Sequence, residues 1–564
     1  MANPARKKAL PGDGRAAKKT FRRPRSDGRR LARVGSPESL MGLSRNSYYR
    51  GFDWLIEYGV LTLLIVAPFE GRGRALYQAG QAMVLAGMVG RCGMDLTWGY
   101  AARAVGLFAA VTAALLSLAF VHSFSAPQPG FFAWSASAFL SQYSLILLAT
   151  AFVLCHRQSE VYERLRRHPR ILAIIGAMLA LWLLTAMASM VSWIPDESLR
   201  TLRKELGPYV FLFLLAIETM RTWARLRRLF VITFAVGAAT CLASCLAYLL
   251  YLYASHYNLE GLKLWLSAEG ETFAVRVNPG LKDVLVQAQF PFSHPNRLGS
   301  FGVIVATLGL FVMAMVEGWR LRAWIGAGSL VAVVAVFFSG TRGAEIAVLM
   351  GVAIFVLLWN WRYIFVLIAG LAIAYGAAPS IQKERIRTIF DPWTYTNLQQ
   401  GNFARRVWVA MASVEMMRDH PWLGIGYGEE VFEKIYPAYK ARVIANYGLT
   451  GAQIDEEDKS HAHNNILQVG ASSGLPAMGA FCAFLVLLGI ALLRRWARPI
   501  PDVPRFRQQA AALFALLAAM TLYGMTNYSL RGGIGMYIWL LMGATISFVQ
   551  LSALPPAPLE RPRK

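Results

Sequence analysis

Acidic residues are scarce in this chain. Its 564 residues carry 32 Asp and Glu against 57 Lys and Arg, a formal net charge of +25, and charged residues make up only 16% of the whole. Soluble domains carry roughly 25%, so an ordinary water-exposed globular domain is excluded. Cysteine is also rare. The five are Cys92, Cys155, Cys241, Cys245 and Cys482, most of them in or at the end of apolar segments, so no disulfide framework is implied. Cys241 and Cys245 stand one helical turn apart, but no histidine or carboxylate is near them in sequence to complete a metal site. A short apolar core with a small-residue cleavage site does not follow the N-terminus, so nothing resembles a signal peptide. No internal repeat is visible.

What the chain has in quantity is apolar residue, 56%. About 20 such residues in a row cross a bilayer, and fourteen candidate spans can be marked: 52–69, 75–91, 104–122, 135–155, 171–194, 207–220, 229–254, 298–316, 323–339, 342–359, 362–378, 465–493, 509–528 and 533–553. The sixth is short and the second weakly apolar. The chain is therefore expected to be an all-α polytopic membrane protein. Residues 1–50 hold 14 Lys and Arg against three acids, a net +11. A run of this kind could bind nucleic acid, but a disordered cytosolic tail that holds anionic membrane lipid and sets orientation explains it with less. With that tail inside, the segments 156–170, 221–228 and 494–507 are basic inner loops, and the facing loop 123–134 has no Lys or Arg. An even number of spans puts both ends in the cytosol. The expected organisation is a basic tail at 1–50, a first membrane part at 51–378 with an outer loop at 255–297, a large outer loop at 379–462, the last spans at 463–554 and a short cytosolic tail at 555–564.

The large outer loop carries structure of its own. Arg405–Asp419 places Val407, Met411, Val414 and Met417 on one helical face with Trp408 beside them, and His420-Pro421 ends the helix. Gly424, Gly426 and Gly428 follow as a turn-rich stretch. An amphipathic helix on or near the membrane surface is expected.

The polar groups with chemical potential fall on this same side. Asn296 and Arg297 lie in SHPNRLG, before the eighth span. Arg342 lies in SGTRG between the ninth and tenth, Arg405 and Arg406 open the loop helix, and Arg531 lies in the last outer turn. An arginine near hydrocarbon costs about 2.5–3.5 kcal/mol on insertion scales unless it meets an anion or water. A diphosphate suits it, because the planar guanidinium forks onto two phosphate oxygens. The stretch HAHNNILQVGASSG (461–474) then re-enters the membrane. His463, with an ordinary pKa of about 6.5, can take a proton from an alcohol near neutral pH. His461 is its competitor for that role, and Asn464 and Asn465 can fix a tautomer or hold sugar hydroxyls. The His-x-His pair could also bind metal with the acids at 455–458, but that acidic run reads as a solvated loop, and no metal is expected.

At these residues the chain resembles the O-antigen ligase and O-antigen polymerase superfamily of bacterial inner-membrane proteins. Four elements match in order: HPNRLGSFG, SGTRGAEIAV, RRVWVAMASVEMMRDHPWLGIGYG and HNNILQVGASSGLP. The likeness covers about residues 290–495. It implies a helical fold of the membrane glycosyltransferase C type, with residues 379–462 as a periplasmic loop. It implies an undecaprenyl-diphosphate-linked glycan as donor, a lipid A-core sugar as the ligase acceptor, and a metal-independent inverting transfer without a cofactor. By resemblance Arg342 and Arg405 are diphosphate-binding, with Arg406 adjacent and Arg297 a further candidate, and His463 is the essential base. Asn464, Asn465, His461, Asn296 and Trp408 are expected to support them or the acceptor. The absence of any Asp-x-Asp sequence agrees with metal independence. Fourteen spans exceed the twelve typical of family ligases, and a polymerase or a lipid-linked glycan transporter remain the alternative functions.

Overall fold

A computed structural model describes residues 169–266 except 221, and 275–278, 285–377, 402–447, 461–500 and 503–552, with isolated positions between 51 and 62 and at 83, 383 and 387. All belong to one compact unit, Tyr49–Lys564. The basic tail, the first four expected spans apart from those isolated positions, the acidic run 455–458 and the C-terminal tail lie outside the described residues.

Helix α1 (Pro169–Met190) is followed by a short α2 (Pro195–Thr201), which runs through a π-helical turn (Leu202–Leu206) into α3 (Gly207–Thr219). The long α4 (Trp223–His256) and a short α5 (Glu260–Leu266) come next. Strands β1 (Val275–Asn278) and β2 (Leu285–Ala288) form an antiparallel pair with Val275 opposite Ala288. Then come α6 (Pro295–Met315), α7 (Trp319–Ser339), α8 (Arg342–Asn360) and α9 (Tyr363–Ala377). The outer segment supplies α10 (Asn402–Asp419) and α11 (Glu429–Tyr447), and α12 (Asn465–Ala497), α13 (Phe506–Gly524) and α14 (Gly532–Leu551) complete the order. The fold is all-α and polytopic. Among the described residues seven helices, α1, α4, α6, α7, α8, α12 and α14, are long and apolar enough to cross a membrane. They coincide with seven of the expected runs. The runs at 207–220, 362–378 and 509–528 are helices too (α3, α9 and α13), but do not reach that measure. The two short strands fall inside the expected outer loop 255–297 and add a hairpin that hydropathy did not foretell.

The core forms around α6 and α14, whose residues are mostly buried. Helix α6 packs on α4, α7, α8 and α13, and α14 packs on α3. Without water to drive association, helices in lipid approach through small residues. On α6, a Cβ at Gly302 would stand 2.6 Å from Val336 on α7, and one at Gly309 would collide with Ser329. Hydroxyls buried in the spans return to their own helix: Thr185 to Leu181, Thr233 to Leu229, Thr307 to Val303 and Thr545 to Leu541, each at 2.7–2.8 Å.

The bundle has two chemically distinct ends. At one, guanidiniums cap helix C-termini, where the dipole is negative. Arg322 and Arg505 both donate to the Val316 carbonyl at 3.2 and 3.3 Å, and Arg225 donates to Thr219. Arg494, Arg495 and Arg507 lie at this end as well. At the other end four helix N-termini meet, those of α6, α8, α12 and α14.

The outer helices settle against this second end. In α10 the buried residues are Trp408, Val409, Ala412, Ser413, Glu415, Met416 and Met417, while Val414 is exposed. This corrects the expected stripe of Val407, Met411, Val414 and Met417: the helix is amphipathic, but its buried face is rotated. It packs on two partners, α11 and the first part of α12, so small Ala412 and Ser413 face a helix and one apolar residue is left outside. Arg442 on α11 ties the pair by binding Asp419 at 2.7 Å and Glu415 at 3.4 Å.

Candidate active site

Each motif read from the sequence becomes a helix start. His294 is the N-cap of α6, its Nδ1 accepting from Asn296 N–H at 3.0 Å, with Pro295 following. Asn464 is the N-cap of α12 and accepts from the N–H groups of Ile466 and Leu467 at 2.9 and 3.1 Å. Thr341 caps α8 without a side-chain bond to it, because its hydroxyl donates across to Asn296 Oδ1 at 3.3 Å. Each N-terminus carries roughly half a positive charge, so their convergence favours an anion before any side chain is counted.

Asparagines bind these starts together. Asn465 is buried and uses both ends of its amide on one residue: Nδ2 donates to Ser529 Oγ at 3.0 Å and Oδ1 accepts from Ser529 N–H at 2.9 Å. Asn464 donates to the Met525 carbonyl. The Asn296 carbonyl accepts from Tyr523 at 2.5 Å, and Tyr523 in turn accepts from Asn527. Asn296, Asn464 and Asn465 thus join α6, α8, α12 and the 525–530 turn.

The histidine pair sits on this frame. Ala462 N–H donates to Gln468 Oε1 at 2.7 Å, which folds the chain back over the helix it is about to enter. His463 is held at φ +50°, the left-handed region, a costly conformation for a residue with a Cβ and one that clusters at functional sites. Its own N–H donates to His461 Nδ1 at 3.2 Å, and the two rings are 4.2 Å apart. His461 is buried, 8% exposed, and its ring also meets Tyr528. Burial, then the charges of His463, His294, Arg297 and Arg406, hold His461 well below the usual histidine range. His294 is pushed down to about 4 by burial and by Arg276, Arg297 and Arg531. His461 is therefore held neutral with its Nδ1 taken, and His463 is the half-buried member of the pair.

Arginines from separate elements bear on His461. Arg406 of α10 is held below the guanidinium range by burial and by Arg342 of α8. Arg297 of α6 donates to Ser293 at 3.1 Å and bears electrostatically on His461 and His294. Arg531, the N-cap of α14, pairs with Glu429 at the start of α11. Arg297 and Arg406 thus bear on His461, and Arg342 bears on Arg406. Arg405 lies on the same turn of α10 as Arg406, and its side chain is outside the described residues. Trp408 points inward, and its indole N–H meets no acceptor among the described residues. No group of three metal-ligating side chains occurs among the described residues.

The two glycine-rich motifs interlock beneath the site. Helix α12 is broken at Gly474, φ +86°. The break frees the carbonyls of Ala471 and Ser472, which accept from Ile425 and Gly426 N–H at 2.9 and 3.0 Å, while Leu475 N–H donates to the Pro421 carbonyl at 2.7 Å. Backbone interrupted at membrane depth must find such partners. A Cβ at Gly424 would lie 2.5 Å from the Ala471 carbonyl oxygen, and one at Gly474 would overlap the Trp422 carbonyl.

Several site residues were not foreseen from sequence. His294 stood in a quoted motif, and only its place as N-cap reveals that it faces the cluster. Tyr427 lay hidden in the glycine run. Glu205 carries no sequence signal at all: it reaches the site from the π-helical turn before α3, a distortion frequent at functional sites.

Residues 327–482 match the family model described as O-antigen ligase. The match runs from α7 into α12 and takes in Arg342, Arg406, Trp408, Tyr427 and the histidine pair. His294, Arg297, Glu205, Tyr528 and Arg531 lie outside it. No curated protein matches the chain.

Proposed function

We propose, from the match of residues 327–482 to the family model described as O-antigen ligase and from the seven helices among the described residues long and apolar enough to cross a membrane, that this chain is a membrane glycosyltransferase of the O-antigen ligase superfamily and transfers a glycan from undecaprenyl diphosphate to a lipid A-core acceptor. The transfer takes place at the periplasmic face of the bacterial inner membrane. The observation that carries the reading is the meeting of Arg297 and Arg406, from separate helices, at His461 of the histidine pair, with Arg342 of a third helix beside Arg406. The arginine-rich opposite end supports a cytosolic placement there by the positive-inside rule, with both termini on that side.

The acceptor hydroxyl attacks the anomeric carbon of the donor sugar, and the bond from that carbon to the diphosphate oxygen breaks with inversion. His463 takes the hydroxyl proton. The departing diphosphate gains charge, which Arg342, Arg406, Arg297 and the helix N-termini stabilise without reorganising, for a few kcal/mol each. The donor is already activated, so the reaction needs neither nucleotide nor metal. His461 fixes the His463 backbone, and the asparagines fix the helices. Helices α10 and α11 cover the site and limit loss of the glycan to water.

The test is transfer from the lipid-linked donor by purified full-length protein. His463→Ala and Arg342→Ala should fold and lose turnover by two orders of magnitude or more; wild-type turnover in both sinks the mechanism. The same site would serve a polymerase, whose acceptor is a second lipid-linked glycan. A deletion strain with bare core and unattached polymer supports the ligase, whereas core bearing a single repeat supports the polymerase.

A further inference from the structure

The guanidinium cluster contains an acid that the transfer chemistry does not use. Glu205 projects from the π-helical turn between α2 and α3, and Tyr427 of the glycine loop hydrogen-bonds to its carboxyl. Tyr427 also hydrogen-bonds to Tyr528, whose ring lies against His461. Arg531 from α14, Arg297 from α6 and Lys204 from the same turn are the charged groups that face it. Burial raises Glu205 above the usual carboxylate range, and those charges and the Tyr427 hydroxyl oppose that rise. The second nearby acid, Glu429, is engaged with Arg531.

The turn that carries Glu205 is seated between the glycine loop, where a Cβ at Gly428 would meet Thr201 at 3.1 Å, and the start of α14, where the Tyr209 hydroxyl donates to the Gly532 carbonyl at 3.0 Å. We propose that Glu205 is the resident counter-anion of the site: its carboxylate competes with an incoming diphosphate for the field of Arg297 and Arg531, and so sets how tightly a diphosphate is held. This rests on the functional reading above and adds a reason for an acid in an anion site. The spent carrier bears more charge than the donor. A cluster built of guanidiniums and helix N-termini alone would keep it, whereas a carboxylate at its edge weakens the hold on the product.

The proposal fixes a sign that structural damage would not give. Inorganic diphosphate is the probe, binding to purified full-length protein is measured by calorimetry, and Glu205→Gln keeps shape while removing charge. At pH 8 the variant should bind diphosphate roughly five- to tenfold more tightly than wild type, the size expected for one charge at close range in a half-shielded site. The gap should close as pH falls and the wild-type carboxyl gains its proton. Tyr427→Phe removes the donor and keeps the acid, so its gap to Glu205→Gln should close at a higher pH than in wild type. Equal or weaker binding by Glu205→Gln across the pH range overturns the proposal, as does a gap that does not depend on pH. Should Glu205→Gln fail to fold, Tyr427→Phe carries the test: binding at intermediate pH tighter than wild type supports the proposal, and unchanged or weaker binding overturns it. Loss of diphosphate binding in Arg342→Ala and loss of transfer in His463→Ala, alongside an unaltered Glu205→Gln, would sink this inference and leave the functional reading standing. Both of those variants behaving as wild type would sink the reading and this inference together.

Discussion

Replacing Gly474 by alanine isolates the contact on which the site rests. Its φ of +86° is strained for any residue with a Cβ, at a cost of roughly 1–3 kcal/mol. The added methyl also overlaps the Trp422 carbonyl and comes within 2.7 Å of Leu423 N. Both are backbone atoms, and they are pinned by the bond from Leu475 N–H to the Pro421 carbonyl and by those from Ile425 and Gly426 to the broken helix. Relief therefore requires giving up at least one of the three, about 1–3 kcal/mol for a buried group left unpaired. The sum is about 2–6 kcal/mol. Gly479 is the control: it lies five residues on in the same helix, and nothing stands within 4 Å of the Cβ it would gain. Gly479→Ala should be neutral or stabilising by up to about 1 kcal/mol. Thermal unfolding of the detergent-solubilised protein, followed by size-exclusion recovery, reads the difference. Gly474→Ala melting with wild type refutes the docking of loop on helix break. Equal losses at both positions would mean that the helix rejects any methyl and that the interlock is not the cause.

Other expectations follow from the same contacts. Asn465→Ala removes both bonds to Ser529 and strands a buried N–H, so it should cost about 2–4 kcal/mol; Ser529→Ala, which keeps the backbone bond, should cost less in the same melt. His461→Ala should lower turnover without abolishing it, because the His463 backbone loses its anchor while the base remains; complete inactivity, beside an active His463→Ala, would exchange the two roles. His294 has a folded pKa of about 4 against the ordinary 6.5. The unfolded chain takes up the proton first, so the stability it contributes is full above about pH 6.5 and drains away down to about pH 4, by about 3 kcal/mol. His294→Asn keeps an N-cap acceptor and should flatten the stability profile over that interval; an unchanged slope would show that His294 does not carry it.

The sequence by itself determined the class and the pieces. Apolar runs of membrane length must become helices, because lipid leaves no other partner for the backbone, and among the described residues ten of the expected runs are helices, seven of them long and apolar enough to cross. The motifs HPNRLG and HNN marked helix starts, because proline and asparagine act locally, whereas Thr341 of SGTRG starts its helix without capping it and reaches Asn296 instead. What only the tertiary structure decided is everything that depends on which elements meet. The buried face of α10 turned away from its apolar count because it is sandwiched between two helices. The His-x-His pair divided into a buried ring held neutral and a half-buried one because burial, with charges from other helices, acts on His461. Glu205 came from a turn more than 250 residues away, and no local pattern can announce a charge whose only meaning is the field of residues brought to it by folding.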